Sequence, residues 1–351
     1  MAGVRVAHET IKSLVNRTPL LQSEPISRVA SSPDLRIRFF LKCENLQKAG
    51  SFKFRGASNF IAQLPNRDLE KGVVAISTGN FGHAVALAAQ TAARSRKLPI
   101  STFVVLPATS APSKIAAAQQ NGAKVVLAGI DPRDRELAAA QILKHTGATL
   151  IGPMDNPLIV NGQGTATLEL LDQVEELGSK LDAVVLPSAT GGLLAGAGIV
   201  CQDSETLVFG CEPSDGGPDL RHGVASGILP DPRNQFSIAD GLRASTSKGN
   251  FNLICQHVNG IYTATEPEIK HVWRMLTEEM RLMIEPSSAV SVATVIFNQG
   301  FRKELAAEKR DWNIGIILTG GNTTVTRMME EFGDSQETFK QLDKPSQTAA
   351  M

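Results

Sequence analysis

Short apolar runs alternate with longer stretches whose apolar positions recur every three to four residues. The runs Ile37–Leu41, Val73–Ile76, Thr102–Leu106, Lys124–Leu127, Ala183–Leu186, Leu207–Cys211 and Ile314–Leu318 read as strands. Gly79–Ala93, Ser113–Asn121, Arg133–His145, Gly164–Leu177, Glu266–Arg281 and Ser287–Asn298 carry helical spacing. Several open on a cap followed by a helix-start proline, as in Thr265-Glu266-Pro267. This alternation predicts an α/β fold with mostly parallel sheets and helices on both faces. Val73 to Thr146 forms a compact alternating unit inside a longer pattern. It predicts a small domain, 72–150, set into a larger one made of 1–71 and 151–333, with a ligand cleft between them. The polar stretch 334–351 lacks periodicity and is expected to be disordered.

Composition narrows the function classes. The chain has 351 residues, 42% of them hydrophobic, and its 35 basic and 35 acidic side chains cancel. Such a balance gives no electrostatic footprint for nucleic acid. The uncharged stretch Ala183–Gln202 is long enough to span a bilayer, but it holds Pro187, Ser188, Thr190 and four glycines. A buried strand, a glycine-rich loop and a helix start account for it better, so no membrane partner is expected. Met1–Leu20 carries His8 and Glu9 and has no apolar core of a secretory signal. The four cysteines (Cys43, Cys201, Cys211, Cys255) are widely spaced without C-x-x-C, which points to reduced thiols and a cytoplasmic location. The six histidines form no metal-ligand spacing.

Four segments carry candidate chemistry. In Gly50-Ser51-Phe52-Lys53-Phe54-Arg55-Gly56-Ala57 a lysine stands between two aromatics. Desolvation there would lower its pKa, as an amine nucleophile requires, although alone such a lysine reads more simply as solvated surface. Ser77-Thr78-Gly79-Asn80-Phe81-Gly82 follows a strand and opens a helix, a place where backbone N–H groups bind anions, or a plain capping loop. Pro187-Ser188-Ala189-Thr190-Gly191-Gly192-Leu193 has the same setting. Its glycines suit either a phosphate or close helix–strand packing, and it matches neither dinucleotide nor P-loop patterns. Thr319, in Leu318-Thr319-Gly320-Gly321-Asn322-Thr323, could place a hydroxyl at a sheet's carboxyl edge, or simply end a strand.

Together these segments resemble the fold-type II pyridoxal-phosphate enzymes, in their serine/threonine dehydratase and serine racemase branch. The resemblance runs over about residues 11 to 330. It takes in Thr18-Pro19-Leu20, Lys42 to Gln47, Ser51 to Ala57, Ser77 to Gly82, Gly162-Gln163-Gly164-Thr165, Gly191 to Gly196, Glu212-Pro213-Ser214, Ile238 to Gly241, Glu285 to Ala289 and Thr319 to Asn322. It implies two open, mostly parallel, three-layer α/β domains with pyridoxal 5'-phosphate in the cleft between them. Lys53 becomes the Schiff-base lysine. Phe52 would pack on the cofactor ring, Asn80 would bind its 3-oxygen and Thr319 would face its ring nitrogen. Ala189, Thr190, Gly191 and Gly192 would hold the phosphate, with Gly241 and Glu285 beside the cofactor. Ser77, Thr78, Gly79, Asn80 and Phe81 would bind the amino-acid carboxylate. The family implies a homodimer acting on a small amino acid.

The sequence departs from the family pattern in three segments. The phosphate loop is usually four glycines, whereas Ala189-Thr190 fill the first two positions here. A Cβ at positive φ would be strained there, so an altered loop is expected, with the Thr190 hydroxyl as a further phosphate donor. Thr78 stands where the racemases place a serine acid/base, and its extra methyl restricts χ1. Phe81 replaces a usual histidine. Relatives can hold a divalent cation near Glu212. Here Pro218 falls on the later acidic position with Asp219 next to it, leaving Glu212 and Asp219 as candidate ligands for a structural Mg²⁺ or Ca²⁺.

The expected activity is that of an ammonia-lyase: a β-hydroxy amino acid such as L-serine or L-threonine is dehydrated through aminoacrylate to a 2-oxo acid and ammonia. Lys53 serves as base and Thr78 as the residue on the opposite face. The alternatives are β-replacement, serine racemisation and a non-catalytic binding protein in which Lys53 is idle.

Overall fold

The computed structural model describes residues 1–77, 79–110, 112–217, 219–231 and 236–333. The stretch 334–351, expected to be disordered, lies outside the described residues. So do Thr78 and Pro218.

The strands form two sheets. The larger takes the order β1-β2-β10-β7-β8-β9 from β1 Leu20–Leu21, β2 Ile37–Lys42, β7 Ala183–Pro187, β8 Leu207–Pro213, β9 Gly260–Ala264 and β10 Trp312–Ile317. All neighbours are parallel except β1, which pairs antiparallel with β2. The smaller sheet, β5-β4-β3-β6, is wholly parallel and built from β3 Val73–Ile76, β4 Thr102–Pro107, β5 Lys124–Ala128 and β6 Thr149–Ile151.

Side chains alternate across a strand, and both faces of the larger sheet are buried. Phe39, Leu41, Val185, Phe209, Ile314 and Ile316 enter one core, which the helices Glu266–Met280 and Pro286–Phe297 cover. Phe40, Val184, Leu186, Val208 and Ile317 point the other way, under the helices Pro157–Glu176 and Gly192–Cys201. The strands therefore read as continuous apolar runs rather than alternating ones. In the smaller sheet Val73 and Ala75 pack against the helices Lys53–Gln63 and Asn80–Arg96, whereas Val74 and Val105 face Ala139 on the far side.

The helix Pro157–Glu176 is the hub of these layers. A Cβ on Gly162 would fall 2.6 Å from the Cα of Gly56, and one on Gly164 would fall 3.0 Å from the carbonyl of Gly196. Glycine at both positions lets this helix lie directly on the helices Lys53–Gln63 and Gly192–Cys201. Gln163 stands between the two contacts. Among the described residues no helix is long and apolar enough to cross a membrane.

Candidate active site

The strand ends that matter all lie at the carboxyl edges of parallel strands, where α/β proteins place ligands. Beyond β10, Ser51 bridges to Gly320, and the Phe52 N–H donates to the Thr319 carbonyl at 3.1 Å. This fixes the residue before Lys53 against the sheet edge. Lys53 opens the helix Lys53–Gln63, whose first N–H groups have no partner within the helix. The Gly56 N–H is satisfied from outside, by Gln163 Oε1 at 3.2 Å. Gln163 also lies under the next loop, since a Cβ on Gly192 would sit 4.0 Å from its Cγ. One side chain thus holds the start of the lysine helix and lies close to Gly192.

The Lys53 ammonium lies 4.7 Å from the Phe52 ring centroid. Among the described residues it has no hydrogen-bond or ion-pair partner. Burial pushes its pKa down to about 8, because a charge without a partner is poorly solvated there. An amine of this kind reaches its neutral, nucleophilic form near physiological pH.

Thr319 is buried, with its Oγ1 3.3 Å from Ser288 Oγ. Ser288 accepts from the Gly320 N–H at 3.1 Å and donates to the Gly320 carbonyl at 3.0 Å. The Thr319 hydroxyl therefore sits beside a second neutral hydroxyl. Gly241 is held at the same end, its N–H donating to Ser287 Oγ at 3.2 Å.

The turn after β3 is built by Ser77. Its Oγ accepts from the N–H groups of Gly79 at 3.1 Å and Gly82 at 2.9 Å, and donates to the Gly79 carbonyl at 3.2 Å. Ser77 is occupied in shaping the turn. The N–H groups of Asn80 and Phe81, at the start of the helix Asn80–Arg96, find no partner among the described residues. The Phe81 ring is 5% exposed and packs in the core with Phe54, Phe60 and Val85. What Phe81 offers the turn is its backbone N–H. Asn80 Nδ2 donates to Glu285 Oε2 at 2.8 Å, and Asn80 Oδ1 accepts from Asn322 Nδ2 at 2.8 Å. One Nδ2 proton of Asn80 stays available.

After β7, the loop Ser188–Gly191 leads into the helix Gly192–Cys201. Positive φ occurs at Gly191 (89°) and not at Ala189 or Thr190. The strain expected from a Cβ at those two positions does not arise, since the loop needs a single left-handed residue and glycine supplies it. The Ala189 carbonyl accepts from Thr246 Oγ1 at 2.7 Å, and the Thr190 carbonyl accepts from Asn250 Nδ2 at 2.7 Å. The N–H groups of Thr190, Gly191 and Gly192 find no partner among the described residues. The Ser188 hydroxyl is buried and also unpartnered.

The candidate metal residues are placed differently. Glu212, at the end of β8, accepts from the N–H groups of Leu220 and Arg221, both at 2.9 Å. Burial raises its pKa despite these bonds. Asp219 adopts a left-handed conformation and hydrogen-bonds His222. Among the described residues no three His, Cys, Asp or Glu side chains gather in one place.

Lys53, Thr319, Asn80, Glu285, Gly241 and the 188–192 loop are therefore connected through short backbone and side-chain links, whereas Glu212 and Asp219 lie apart, at the end of β8 and at the start of the helix that follows it. Thr246, Asn250, Ser288 and Asn322 also shape the site. Ser288 and Asn322 lie inside segments the sequence singled out. Thr246 and Asn250 lie between such segments and carry no local signal.

The chain is similar to known proteins along nearly its whole length. Residues 11–320 match the family described as pyridoxal-phosphate dependent enzyme. A serine racemase of Dictyostelium discoideum is 34% identical over 330 residues, covering 93% of this chain and 95% of that protein. The L-threo-3-hydroxyaspartate ammonia-lyase of Saccharomyces cerevisiae is 32% identical, covering 92% of each chain. The crystal structure of a threonine deaminase from T.th. superposes with a TM-score of 0.81 at 34% identity, over 92% of this chain and 98% of that one.

Proposed function

The chain belongs to the pyridoxal-phosphate-dependent enzyme family, in its serine racemase and dehydratase branch, and we propose that it acts as an ammonia-lyase on a β-hydroxy amino acid. The residues present fit the cofactor. Lys53 offers an amine without a competing partner, set over the Phe52 ring at the carboxyl edge of the sheet, and this placement is the observation that carries the proposal. The unpaired N–H groups of Thr190, Gly191 and Gly192, with the orphaned Ser188 hydroxyl, suit a phosphate.

The bound cofactor supplies an electron sink that acidifies the bond to hydrogen at the substrate Cα. The chain supplies the rest. The N–H groups of Asn80 and Phe81, at a helix N-terminus, bind the substrate carboxylate. With the cofactor bound, Lys53 Nζ would be the group that takes the α-proton. Thr319, with Ser288 beside it, would offer a bound cofactor ring a neutral hydroxyl. Loss of the β-hydroxyl as water, followed by hydrolysis, gives a 2-oxo acid and ammonia, with no external oxidant or reductant required.

Racemisation is the second reading, supported by the similarity to serine racemases along nearly the whole chain. Against it stands Thr78, whose β-branched side chain takes the place of a serine.

The test is to incubate the holoenzyme with L-serine, L-threonine and L-threo-3-hydroxyaspartate, then quantify oxo acid, ammonia and D-enantiomer. Equal oxo acid and ammonia, both lost in Lys53→Ala, are expected. D-enantiomer in excess of oxo acid would replace the lyase with a racemase. An added thiol captured at Cβ, with little ammonia, would point to β-replacement.

A further inference from the structure

The loop Ser188–Gly191 is tied at two consecutive carbonyls to the start of one helix, Lys248–His257. Thr246 Oγ1 holds the Ala189 carbonyl and Asn250 Nδ2 holds the Thr190 carbonyl, each at 2.7 Å. A trans peptide unit points its C=O and its N–H in opposite directions. Pinning the carbonyls of residues 189 and 190 toward that helix therefore turns the N–H groups of Thr190 and Gly191 to the other side of the loop. Those are two of the unpaired donors described above.

Asn250 is itself held in place. It is 1% exposed, and its N–H donates to Asp155 Oδ1 at 3.1 Å. Asp155 lies between β6 and the helix Pro157–Glu176, with φ at 49°, where Asp is among the better tolerated residues. Its carboxylate satisfies a free N–H in the first turn of the helix and complements the helix dipole. Gly249 passes close enough that a Cβ there would meet Asp155 Oδ1 at 2.6 Å. On the other side, a Cβ on Gly191 would meet Asn250, Ile254 and Thr246 at 3.0 Å each. Connector, helix start and loop form one packed unit.

We infer that Asn250 is a positioning residue for the cofactor phosphate, acting through the Thr190 peptide and itself set by Asp155. The inference rests on the cofactor reading above. Asn250 and Thr246 aim the loop's donors without touching the phosphate. They do the work that additional glycines would leave to an adaptable loop, and so accommodate Ala189 and Thr190.

The test compares pyridoxal 5'-phosphate with pyridoxal, which lacks the phosphate, as ligands of the cofactor-free protein. Binding is followed by the absorbance band of the bound aldehyde, alongside melting temperature. Asn250→Asp keeps the shape but replaces the donor with an acceptor, and Thr246→Val removes the other donor. Each is expected to weaken pyridoxal 5'-phosphate by roughly tenfold and pyridoxal by less than about twofold. Asp155→Asn, which keeps an acceptor, is expected to stay near wild type. Equal losses for both ligands, or a lower melting temperature with an unchanged ratio, would overturn the inference. If Asn250→Asp fails to fold, Thr246→Val reads the same ratio. A wild-type protein that binds neither aldehyde would instead remove the cofactor reading itself.

Discussion

Asn80 Nδ2 donates to Glu285 Oε2 at 2.8 Å, and that bond ties the helix leaving the smaller sheet to the helix behind the larger one. Asn322 completes the link, donating both to Asn80 Oδ1 at 2.8 Å and to the Ala49 carbonyl at 2.9 Å. Segments far apart in sequence share one carboxamide. Its remaining proton is thereby oriented before any ligand arrives, which lowers the entropic cost of using it.

Glu285→Gln and Glu285→Ala separate the hydrogen bond from the charge. Glutamine retains an acceptor for Asn80, so kcat/KM is expected to stay within about threefold of wild type. Alanine frees Asn80 and is expected to cost about tenfold or more. Steady-state kinetics on the same substrate panel give the comparison. Similar losses in both variants would show that the carboxylate charge matters rather than the bond.

Lys53 gives a prediction with a definite pH window. Only the neutral amine attacks an aldehyde. The rate of cofactor capture by the cofactor-free protein should therefore rise with pH through a midpoint of about 8, well below the ordinary lysine value of 10.5. Stopped-flow absorbance measures it. The same shift affects stability. The folded-state pKa lies below the unfolded one, so between about 8 and 10.5 the unfolded chain holds more protons and stability rises with pH. Below that window the full penalty of a poorly solvated ammonium applies. Lys53→Met should raise the melting temperature of the cofactor-free protein at pH 7, with the gain shrinking at higher pH.

Two adjacent glycines should respond differently. Gly191 combines a φ of 89° with neighbours 3.0 Å from any added Cβ. For Gly192 the nearest atom would be 3.8 Å away, which is ordinary contact. Gly191→Ala is expected to destabilise the protein by about 1–3 kcal/mol and to weaken cofactor binding. Gly192→Ala, at the first position of a helix, is expected to be neutral within about 1 kcal/mol. Thermal melts with and without cofactor check both. A Gly191→Ala variant as stable as wild type would show that the loop can rearrange.

The sequence is most legible where period and burial agree. The strands buried on both faces, such as β7 and β10, stand out as continuous apolar runs, and their carboxyl ends locate the candidate site. The edge strand β9 is not legible, because Gly260-Ile261-Tyr262-Thr263-Ala264 mixes a glycine and a polar residue in a short run. The helix Lys53–Gln63 also escapes the pattern. Its residues Arg55, Ser58 and Asn59 are polar yet buried, which erases the amphipathic spacing. Similarly, Gly162-Gln163-Gly164-Thr165 shows no chemistry until the crossing of three helices gives each residue a task. Thr246 and Asn250 act through contacts about 60 residues distant in sequence, which no local pattern records.

The buried polar character of that helix has its own consequence. Arg55 donates to both oxygens of Glu44 at 2.7 Å and to those of Glu169 at 2.8 and 2.9 Å. Lys42 donates to Glu169 Oε2 at 2.8 Å and to the Thr18 carbonyl at 2.9 Å. The two cations and two anions are fully or almost fully buried, so their charges must balance. Burial alone would push the Glu169 pKa up, but hydrogen bonds and charge from Arg55, with Lys42 adding to both, hold it below the ordinary carboxylate value of 4.5. Glu169→Gln keeps the volume and leaves one positive charge in surplus. It is expected to cost about 3–5 kcal/mol at pH 7, read from urea unfolding midpoints at an unchanged slope. Because a depressed carboxylate contributes stability that is lost as pH falls, the gap between wild type and variant should narrow below pH 4.5. Arg55 lies two residues beyond Lys53, and Gln163 lies on the same helix as Glu169. The variant is therefore expected to slow cofactor capture as well as to unfold more easily. Loss of stability with an unaltered capture rate would show that the ion cluster supports the fold without reaching the lysine.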